Sequence, residues 1–493
     1  METTTVQSQV NASSALSIPI SPNTPSADIQ RIYKAQLANK QNIKNTSVSQ
    51  RKAKLKKLEQ AILQFREKIG DAIYNDFKKP RPETDLTELS PTLIEVRHAI
   101  SDLATWMRPK SVDTPLSYFG TSSKLIYEPK GLTLIISPWN YPFNLCIIPL
   151  VGAIAAGNTA IVKPSEYTPH TSKVVKDLLK TVFDENEVAV VEGDYTVSAE
   201  LLKLKFDHIF FTGSPGVGKV VMKAAAEHLT SVTLELGGKS PVIVDETVNV
   251  KTAARRIAWG KFVNAGQTCI APDYALVHSS KYNDFIKEFK NQIAEYYGSD
   301  VAAQQQSDSF ARIVNSKHYA RVKQLIDDAI EKGATVEAGA KFDEKENFIA
   351  PTVLTNVSKD AKILEEEIFG PVLPVLKYNS IEEAFQIINE KEKPLALYIF
   401  SSSNRNIEKV LKNTTAGGTA INDTLIHCSH PNLPFGGVNN SGIGSGHGYF
   451  SFKEFSHERA VMKQWNPKSS IENMYPPYTG FKQKMIEFVM KYF

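Results

Sequence analysis

The sequence is poor in cysteine and nearly balanced in charge, and each scarcity excludes a class of protein. Its three cysteines, Cys146, Cys269 and Cys428, are spread over 493 residues without CxxC spacing. They predict neither a disulfide framework nor a cysteine-rich zinc site, and they suit a reducing compartment. The formal net charge of +4 is too small to indicate a nucleic-acid partner.

Glycine and proline are also sparse, and no apolar run is long and unbroken. With 26 residues of each, the composition is that of a globular chain. The stretch from Leu132 to Val162 is interrupted by prolines, asparagines and a glycine, so we predict strand, turn and buried helix there instead of a membrane span. The first basic residue is Arg31, which argues against a secretory or mitochondrial leader. Residues 1–27 are polar and are predicted to form a disordered arm.

Helical patterns come first, and strand–helix alternation follows. Apolar residues from Leu55 to Ile73 recur every three or four positions and predict an amphipathic helix. Ser90, followed by Pro91, predicts the N-cap of a second helix. Beyond Leu132, alternating short apolar runs and helical patterns predict βαβ units, a parallel sheet and ligand binding at the carboxyl ends of its strands. A second α/β unit is predicted after Gly238. The runs assigned to the first set of strands are 132–136, 160–162, 188–191, 209–211 and 232–236.

A glycine-rich segment, residues 213–219, follows an apolar run and opens a predicted helix, which is the context of a phosphate-binding turn. It has the spacing of a P-loop, but Val220 provides no hydroxyl for Mg²⁺, so a nucleoside-triphosphatase is a poor match. The glycines at Gly213, Gly216 and Gly218 do not have the usual dinucleotide spacing either. From these residues alone, phosphate binding and an ordinary strand-to-helix turn stay equally open.

Cys269 differs from the other two cysteines in its surroundings. It lies in a glycine-containing turn with polar neighbours, where an exposed thiolate could act as a nucleophile. Cys146 lies inside an apolar run and is predicted to be an ordinary buried side chain, as is Cys428. His427 and His430 flank Cys428, but no second ligand pair accompanies them, so no metal site is predicted.

Glu235 and Asn140 are polar residues in apolar or rigid surroundings. Glu235 interrupts an apolar strand that offers no nearby Arg or Lys. Burial would raise its pKa and suit it to act as a general base, although a carboxylate paired in the core is the alternative. Asn140 stands between Pro138 and Pro142, where its amide is either a turn former or a rigidly held donor to an oxyanion.

Together these segments resemble the aldehyde dehydrogenase superfamily over about residues 30–465. The C-terminal segments 433–442 and 455–459 resemble its class 3 branch, which includes fatty aldehyde dehydrogenases. Five signatures occur in the family's order, namely Pro-Trp-Asn-Tyr-Pro at 138–142, Val-Lys-Pro-Ser-Glu at 162–166, Leu-Glu-Leu-Gly-Gly-Lys-Ser-Pro at 234–241, Gly-Gln-Thr-Cys at 266–269 and Glu-Ile-Phe-Gly-Pro-Val at 367–372.

The resemblance implies an α/β fold with a Rossmann-type cofactor domain, an α/β catalytic domain and a small β oligomerisation element, assembled as a homodimer. Residues 466–493 form a tail that we expect to be a lid or an interfacial helix, because apolar residues recur there at helical spacing beside lysines. The implied boundaries are 28–111 with 131–236 for the cofactor domain, 237–430 for the catalytic domain, and 112–130 with 431–465 for the oligomerisation element.

The resemblance also implies roles for single residues. Cys269 is the implied nucleophile, Glu235 the base and Asn140 the side-chain donor to the oxyanion. Glu166 is suited to ribose hydroxyls and repels a 2′-phosphate, so NAD is the expected cofactor, although Lys163 leaves NADP open. The implied cofactor contacts are Lys163 and Glu166 with the adenosine ribose, Gly213 and Ser214 with the pyrophosphate, Glu367 with the nicotinamide ribose and Phe369 with the nicotinamide ring.

The implied reaction is the oxidation of an aldehyde to a carboxylic acid through a thiohemiacetal and a thioester on Cys269, with Glu235 activating the hydrolytic water. We expect a medium- or long-chain aliphatic aldehyde as substrate. An aromatic aldehyde dehydrogenase of the same branch and a non-catalytic scaffold are the alternatives. The expected location is the cytoplasmic side, with the chain soluble or attached peripherally to an intracellular membrane through its tail.

Overall fold

The computed structural model describes residues 22–469 and 471–492 of the protein. Most of the predicted arm, residues 1–21, lies outside the described residues. The end of that arm differs from the prediction, because the first helix begins at Ser26 and Thr24 donates its backbone N–H to the carbonyl of Glu192 at 2.9 Å. The Asn23 amide also donates to Asp194 at 3.2 Å. Polar contacts therefore order these residues without burial of apolar surface.

Helices dominate the N-terminal part of the chain and later separate the strands. A π-helical turn, Asp85–Leu89, follows α3, and a 3₁₀ turn, Val263–Gly266, follows α9. Within the described residues the α-helices are Ser26–Lys44 (α1), Val48–Phe77 (α2), Arg81–Thr84 (α3), Ser90–Trp106 (α4), Asn144–Ala156 (α5), Pro169–Val182 (α6), Tyr195–Leu201 (α7), Pro215–Ala226 (α8), Val250–Phe262 (α9), Tyr282–Tyr297 (α10), Val301–Gln306 (α11), Ser316–Glu331 (α12), Ile381–Asn389 (α13), Asn404–Asn413 (α14), Gly448–Glu454 (α15) and Gly480–Tyr492 (α16).

The strands form two large sheets, one three-stranded sheet and a two-stranded ribbon. In the described part of the chain they are Lys110–Val112 (β1), Thr121–Pro129 (β2), Leu132–Ile136 (β3), Thr159–Lys163 (β4), Val188–Val190 (β5), His208–Gly213 (β6), Ser231–Leu236 (β7), Pro241–Val244 (β8), Tyr274–His278 (β9), Thr335–Ala338 (β10), Phe342–Asp343 (β11), Phe348–Ile349 (β12), Thr352–Thr355 (β13), Val372–Tyr378 (β14), Ala396–Phe400 (β15), Gly418–Ile421 (β16), Gly442–Ile443 (β17) and Ser456–Gln464 (β18).

The first helical prediction is confirmed and the second is wrong at its start. The stripe from Leu55 to Ile73 lies on α2, and both of these side chains are fully buried. Ser90 caps nothing, because α3, the π-helical turn and α4 follow one another and Leu89 already has helical angles (φ −77°, ψ −47°). Pro82 lies in the first turn of α3, so the proline that helps to start this helical segment comes earlier than predicted.

The first large sheet has the order β5-β4-β3-β6-β7-β17 and is parallel except for β17. The order 3-2-1-4-5 of its parallel strands is that of a Rossmann fold, whose ligands bind at the carboxyl ends of the strands beside the switch between β3 and β6. Asn140, Lys163 and Gly213 lie at or just after the ends of β3, β4 and β6. The topology therefore brings three of the predicted site residues to one edge of the sheet.

The second large sheet has the order β10-β13-β14-β9-β8-β15-β16, and β10 is its antiparallel strand. A separate antiparallel sheet, β1-β2-β18, uses residues 121–129 and 456–464. The predicted oligomerisation range 431–465 is therefore only partly in this sheet, because β17 pairs with β7 and α15 packs on α5. The C-terminal segment thus adds an edge strand to the Rossmann-type sheet beside Glu235, whose backbone pairs with Gly442.

The apolar stretch from Leu132 to Val162 folds as β3, α5 and most of β4, as predicted. Its strands are fully buried, and α5 is buried along nearly its whole length. None of the helices within residues 22–469 and 471–492 combines the length and the apolar character needed to cross a membrane.

Candidate active site

The turn that precedes Cys269 is buried, contrary to the prediction of an exposed turn. Asn264 and Ala265 have φ angles of 56° and 51°, in the left-handed region, and Gly266 follows with φ 74°. A Cβ at Gly266 would meet the carbonyl oxygen of Gly370 at 2.2 Å, so this position requires glycine. The polar neighbours of Cys269 point inward, and its own side chain is partly exposed.

The buried polar side chains of this turn form a hydrogen-bonded network. Asn264 Nδ2 donates to the carbonyl of Asn140 at 2.8 Å, and Gln267 Nε2 donates to the carbonyl of Asn264 at 3.0 Å. The Asn140 amide donates to the carbonyl of Gln267 at 3.1 Å. Because an amide carries two N–H donors, one donor of Asn140 is left for another partner. The network thus fixes the predicted oxyanion donor against the turn that carries Cys269.

Cys269 and Glu235 line the same narrow cavity of about 30 Å³, which has room for a water molecule. Both carboxyl oxygens of Glu235 are buried without a hydrogen-bond partner. Burial, and then the neighbouring Glu454, raise the pKa of Glu235 well above its usual value. The cavity is otherwise lined mainly by apolar side chains, among them Leu145, Ile148, Phe210, Leu236, Leu395 and Phe435.

The thiol of Cys269 lies in surroundings that oppose its ionisation. Burial raises the pKa of Cys269, and the acidic groups of Glu367, Cys428 and Glu235 raise it further. Cys428 is therefore a close neighbour of the predicted nucleophile and not an isolated core residue. Cys146 is fully buried, as predicted, and burial raises its pKa to about 12. A thiolate at Cys269 needs a proton acceptor or a positive charge beside it.

The carboxyl ends of β4 and β6, where a Rossmann fold has its ligand-binding crevice, carry residues suited to a nucleotide. Lys163 Nζ donates to Glu166 Oε2 at 2.9 Å, which leaves the other carboxylate oxygen of Glu166 for a ribose hydroxyl. Ser214 caps α8 through a long bond of 3.5 Å from the N–H of Val217, and nothing lies within 4 Å of a Cβ built at Gly216. An open helix N-terminus of this kind accepts a phosphate. These residues fit the nucleotide half of the implied cofactor.

Glu367 and Phe369 lie on the loop before β14, opposite the cavity-lining end of β7. The Glu367 carboxyl packs so closely on Gly237 that a Cβ there would lie 2.0 Å from its oxygen. Its Oε1 is buried without a partner, and burial followed by the charge of Asp273 raises the pKa of Glu367 to about 8. Such a group fits the hydroxyl donors of a ribose. Phe369 has φ 48° and lies edge-to-face with Trp139 at 5.2 Å.

The structure places Cys269 and Glu235 in one cavity and holds Asn140 against the turn that carries Cys269. Four of the predicted cofactor contacts, Lys163, Glu166, Gly213 and Ser214, lie at or just after the ends of β4 and β6, whereas Glu367 and Phe369 lie on the loop before β14. The sequence reasoning missed several residues that support this site. Tyr141 shares a hydrogen bond of 2.6 Å with Thr268, directly before the cysteine. His447 lines the cavity although it is far from Glu235 in the sequence. Within the described residues, no group of three or more His, Cys, Asp or Glu side chains is arranged to hold a metal ion.

Comparison with known proteins identifies the family. The model of the aldehyde dehydrogenase family matches residues 3–461. The 4,4'-diaponeurosporen-aldehyde dehydrogenase of Staphylococcus aureus is 48% identical over 434 residues, which cover 88% of this chain and 93% of that protein. The dimeric NADP-preferring aldehyde dehydrogenase of Rattus norvegicus is 42% identical over 435 residues, which cover 88% and 94%. A solved structure of Staphylococcus aureus AldH in a substrate-bound state has a TM-score of 0.89 at 45% identity, covering 94% of this chain and 99% of that chain.

The chain belongs to the aldehyde dehydrogenase family. Family 3 members A2 and B2 of Mus musculus are among its further relatives, so its place is in the class 3 branch, as the C-terminal motifs indicated. The protein is an oxidoreductase, and neither a nucleoside-triphosphatase nor a non-catalytic scaffold is retained as an interpretation.

Proposed function

We propose that the protein oxidises an aldehyde to the free carboxylic acid with a nicotinamide dinucleotide as oxidant. The observation that carries this proposal is the shared cavity of Cys269 and an unpartnered Glu235. A thiol can hold the substrate covalently, and an acid beside it can take protons. The bound dinucleotide supplies the hydride acceptor. The predicted cofactor contacts, among them Lys163 and Glu367, would bind the dinucleotide.

In the first half of the proposed reaction, Cys269 loses its thiol proton to a cavity water and its sulfur attacks the aldehyde carbon. The new C–S bond moves the carbonyl electron pair onto the oxygen, which becomes an oxyanion. The free N–H of the Asn140 amide and the backbone N–H of Cys269 would donate to that oxygen. Removing one such donor costs about 3 to 4 kcal/mol in other enzymes. Loss of hydride from the same carbon leaves a thioester on Cys269.

In the second half, Glu235 takes a proton from a water as that water attacks the thioester carbon. The C–S bond breaks, the carboxylic acid leaves and Cys269 departs as a thiolate. Because Glu235 can activate water, the product is a free acid and not an acyl group passed to another thiol. The raised pKa of Glu235 suits this role, because a base works best when its pKa lies near the working pH.

The replacement Cys269→Ser tests the nucleophile. We expect formation of NADH from an aliphatic aldehyde to fall to background, because a serine hydroxyl in this apolar cavity is far less ionised than a thiol. Cys146→Ser is the matched control, since that cysteine is fully buried in the core and does not line the cavity. Full activity in Cys269→Ser would contradict the proposal.

We propose NAD as the preferred cofactor, with NADP as the competitor. The Glu166 carboxylate, paired with Lys163 at 2.9 Å, would repel a phosphate on the ribose, whereas Lys163 would attract it. One relative is named for a preference for NADP, so the comparison of kcat/KM for the two cofactors is decisive. Glu166→Gln should shift the ratio toward NADP. An unchanged ratio would remove Glu166 as the selecting residue.

We propose a medium- or long-chain aliphatic aldehyde as substrate, with an aromatic aldehyde as the alternative. Apolar residues such as Leu145, Ile148 and Phe210 line the cavity. The helix α16 adds exposed apolar side chains, with Phe481 72% and Phe488 58% exposed. A higher kcat/KM for hexadecanal than for benzaldehyde is expected, and a clear preference for benzaldehyde would overturn the choice.

We also propose a homodimer and peripheral attachment to the cytoplasmic side of an intracellular membrane. The three-stranded sheet β1-β2-β18 has side chains that are mostly exposed along β18 and β1, which fits a subunit interface. On α16, exposed Phe481 and Phe488 stand beside Lys482, Lys484 and Lys491, as on helices that lie in the membrane interface. Sedimentation equilibrium tests the dimer, and a monomer at micromolar concentration would contradict it.

A further inference from the structure

The proposed function leaves one step without a route, and the following inference rests on that function. The proton that Glu235 takes from water must leave before the next turnover. Both oxygens of its carboxyl are buried without a partner, and the cavity has room for about one water. An aldehyde chain in the entrance would block exchange with solvent from that side. A second route through the protein would let Glu235 lose its proton while substrate or product is bound.

His447 is the titratable group that shares this cavity with Glu235 and Cys269. It lies between β17 and α15, and its neighbour Gly446 is so close that a Cβ built there would be 3.9 Å from Glu235 Oε1. Its backbone is held at φ 71°, and its N–H donates to Ser451 Oγ at 2.8 Å. A histidine with φ 71° and ψ 135° lies outside the regions that residues other than glycine usually occupy, so the surrounding structure holds the imidazole in place at some cost.

Behind His447 lies a buried carboxyl, that of Glu95 on α4. The Nδ1 atom of His447 is 3.9 Å from Glu95 Oε2, and Glu95 is 3% exposed. The backbone N–H of Gly448 donates to Glu95 Oε1 at 2.6 Å and fixes this oxygen, which leaves the other facing the imidazole. Burial raises the pKa of Glu95 to about 7 and lowers that of His447 to about 4. A neutral imidazole therefore shares the cavity with the carboxyl of Glu235 and has the carboxyl of Glu95 as a neighbour at 3.9 Å.

The route continues toward the surface along α4. His98 follows Glu95 by one helical turn, so the two share a face of the helix. Its ring also packs against position 448, where a Cβ would lie 3.0 Å from Nδ1, and that nitrogen is buried without a partner. On its other side, Nε2 is 2.9 Å from Asp102 Oδ2, and the Asp102 side chain is 45% exposed. Titratable groups thus extend from the cavity, through Glu95 and His98, to the partly exposed Asp102.

We propose that His447 and Glu95 are positioning residues that carry the proton of Glu235 out of the cavity. The Glu235 carboxyl gives its proton through the cavity water to Nε2 of His447, and the proton on Nδ1 passes to Glu95. The distance of 3.9 Å is too long for a direct hydrogen bond, so this transfer uses a small ring rotation or one water. Glu95 then releases the proton toward His98 and Asp102. No electrons move. The imidazole ends with its proton on Nε2, so a flip of the ring, which returns that proton to the side of Glu95, resets it before the next turnover.

Glu454 is the rival route, and it is the other charged group that faces Glu235. It lies at the end of α15, it accepts a hydrogen bond of 2.7 Å from Thr233 Oγ1, and its charge raises the pKa of Glu235. Lys130 lies near Glu454: burial lowers the pKa of Lys130, and the negative charge of Glu454 opposes that shift. A proton could also leave by this path, so the experiment must separate the two carboxyls.

The decisive variant is His447→Gly, because glycine suits the positive φ and leaves a space the size of an imidazole. We expect the pre-steady-state burst of NADH to keep its amplitude and the steady-state rate to fall about tenfold or more, since deacylation loses its proton acceptor. The solvent isotope effect on kcat should be larger in this variant than in wild type. Added imidazole should restore turnover and return the isotope effect to its wild-type size. His430→Gly, an exposed histidine of the neighbouring loop, is the matched control and should respond to neither change.

A readout without the dinucleotide uses p-nitrophenyl acetate, which acylates a thiol directly. In His447→Gly and in Glu95→Gln, intact-protein mass spectrometry should show an accumulated acetyl-enzyme, which wild type clears. Imidazole should clear it in the glycine variant and not in Glu95→Gln. His447→Asn serves as a second variant, because asparagine is polar and smaller than histidine but carries no relay nitrogen.

Wild-type turnover in His447→Gly and His447→Asn would overturn the relay, as would a slow rate that imidazole leaves unchanged. Accumulation of acyl-enzyme in Glu454→Gln but not in His447→Gly would assign the route to Glu454 and also overturn it. If wild type itself forms no acyl-enzyme, or if Glu235→Gln clears it at the wild-type rate, the proposed function fails instead. The two failures are thus distinguishable.

Discussion

Asn264 Nδ2 donates to the carbonyl oxygen of Asn140 at 2.8 Å. A single side chain therefore ties the turn before Cys269 to the loop after β3. Asn264 can do so because its φ of 56° turns the chain sharply inward, a conformation that asparagine tolerates better than most residues. The position of the proposed oxyanion donor depends on this contact.

Removal of the hydrogen bond from Asn264 to Asn140 should lower activity more than an equal loss of stability elsewhere in the protein does. Asn264→Gly keeps the backbone conformation and leaves the Asn140 carbonyl without this donor, at a cost of about 1 to 3 kcal/mol. We expect kcat/KM to fall about tenfold, with a lower Tm. Asn422→Gly is the matched control, because Asn422 also has φ 56° and bonds Ser401, which directly follows β15 of the second sheet. It should lose stability and keep kcat/KM, and equal losses of activity in both variants would contradict this role of Asn264.

The pH dependence of turnover should report on Glu235. A general base works in its ionised form, so turnover should rise with pH through a raised pKa, well above the ordinary value of 4.5. Glu454→Gln removes the nearby negative charge that contributes to this rise, and the ascending limb of kcat should move to lower pH. Glu458→Gln makes the same charge change on the exposed face of β18 and should leave the limb in place. An unmoved limb in Glu454→Gln would contradict the assignment.

Glu83 should make folding stability depend on pH. It accepts the backbone N–H of Asn264 at 2.8 Å, and burial raises its pKa to about 7 from 4.5. The folded state therefore holds the proton more tightly, so the stabilising contribution is present in full below pH 4.5 and is lost as pH rises through 7. Glu83→Gln is neutral throughout. Urea denaturation should show this variant gaining stability relative to wild type between these pH values, and parallel curves would contradict the prediction.

The helix α16 should mediate attachment to anionic vesicles. Phe481 and Phe488 are 72% and 58% exposed. Replacing both by Glu removes their apolar contact with lipid and adds repulsion between the new carboxylates and the anionic headgroups. We expect cosedimentation with phosphatidylserine-containing vesicles to be lost in the double variant and to weaken at high salt in wild type. Tyr195→Glu, at a side chain 75% exposed on α7, is the control and should still bind. A wild-type protein that stays in the supernatant would contradict the proposal.

The sequence predicted the elements whose pattern is local. The five first-sheet strands, the stripe on α2 and the family motifs around Glu235 and Cys269 all have short-range signals. The strands β8 and β15 were missed, because four or five buried apolar residues can belong to a helix as easily as to a strand. The strand β16 was missed because it has one buried residue and no apolar pattern of its own. The N-cap prediction at Ser90 was wrong because the residues around Ser90 do not reveal the helical turn that precedes them.

The supporting residues of the site could not be predicted, because their partners are distant in the chain. Gly448 and Glu95 are separated by 353 positions, yet the backbone N–H of one donates to the carboxyl of the other. The inward direction of Asn264 depends on three successive positive φ angles, which the sequence Asn-Ala-Gly does not require. Buried polar contacts of this kind follow from the complete fold, and no periodic pattern marks them.

The role of Glu235 as the base of deacylation is tested most directly by rapid mixing of Glu235→Gln with NAD and an aliphatic aldehyde. Glutamine keeps the size of the side chain and cannot take a proton from water. We predict a burst of one NADH per active site, followed by a steady-state rate at least about a hundredfold below wild type, with the acyl-enzyme trapped on Cys269. Steady turnover near the wild-type rate, or no burst at all, would contradict this role.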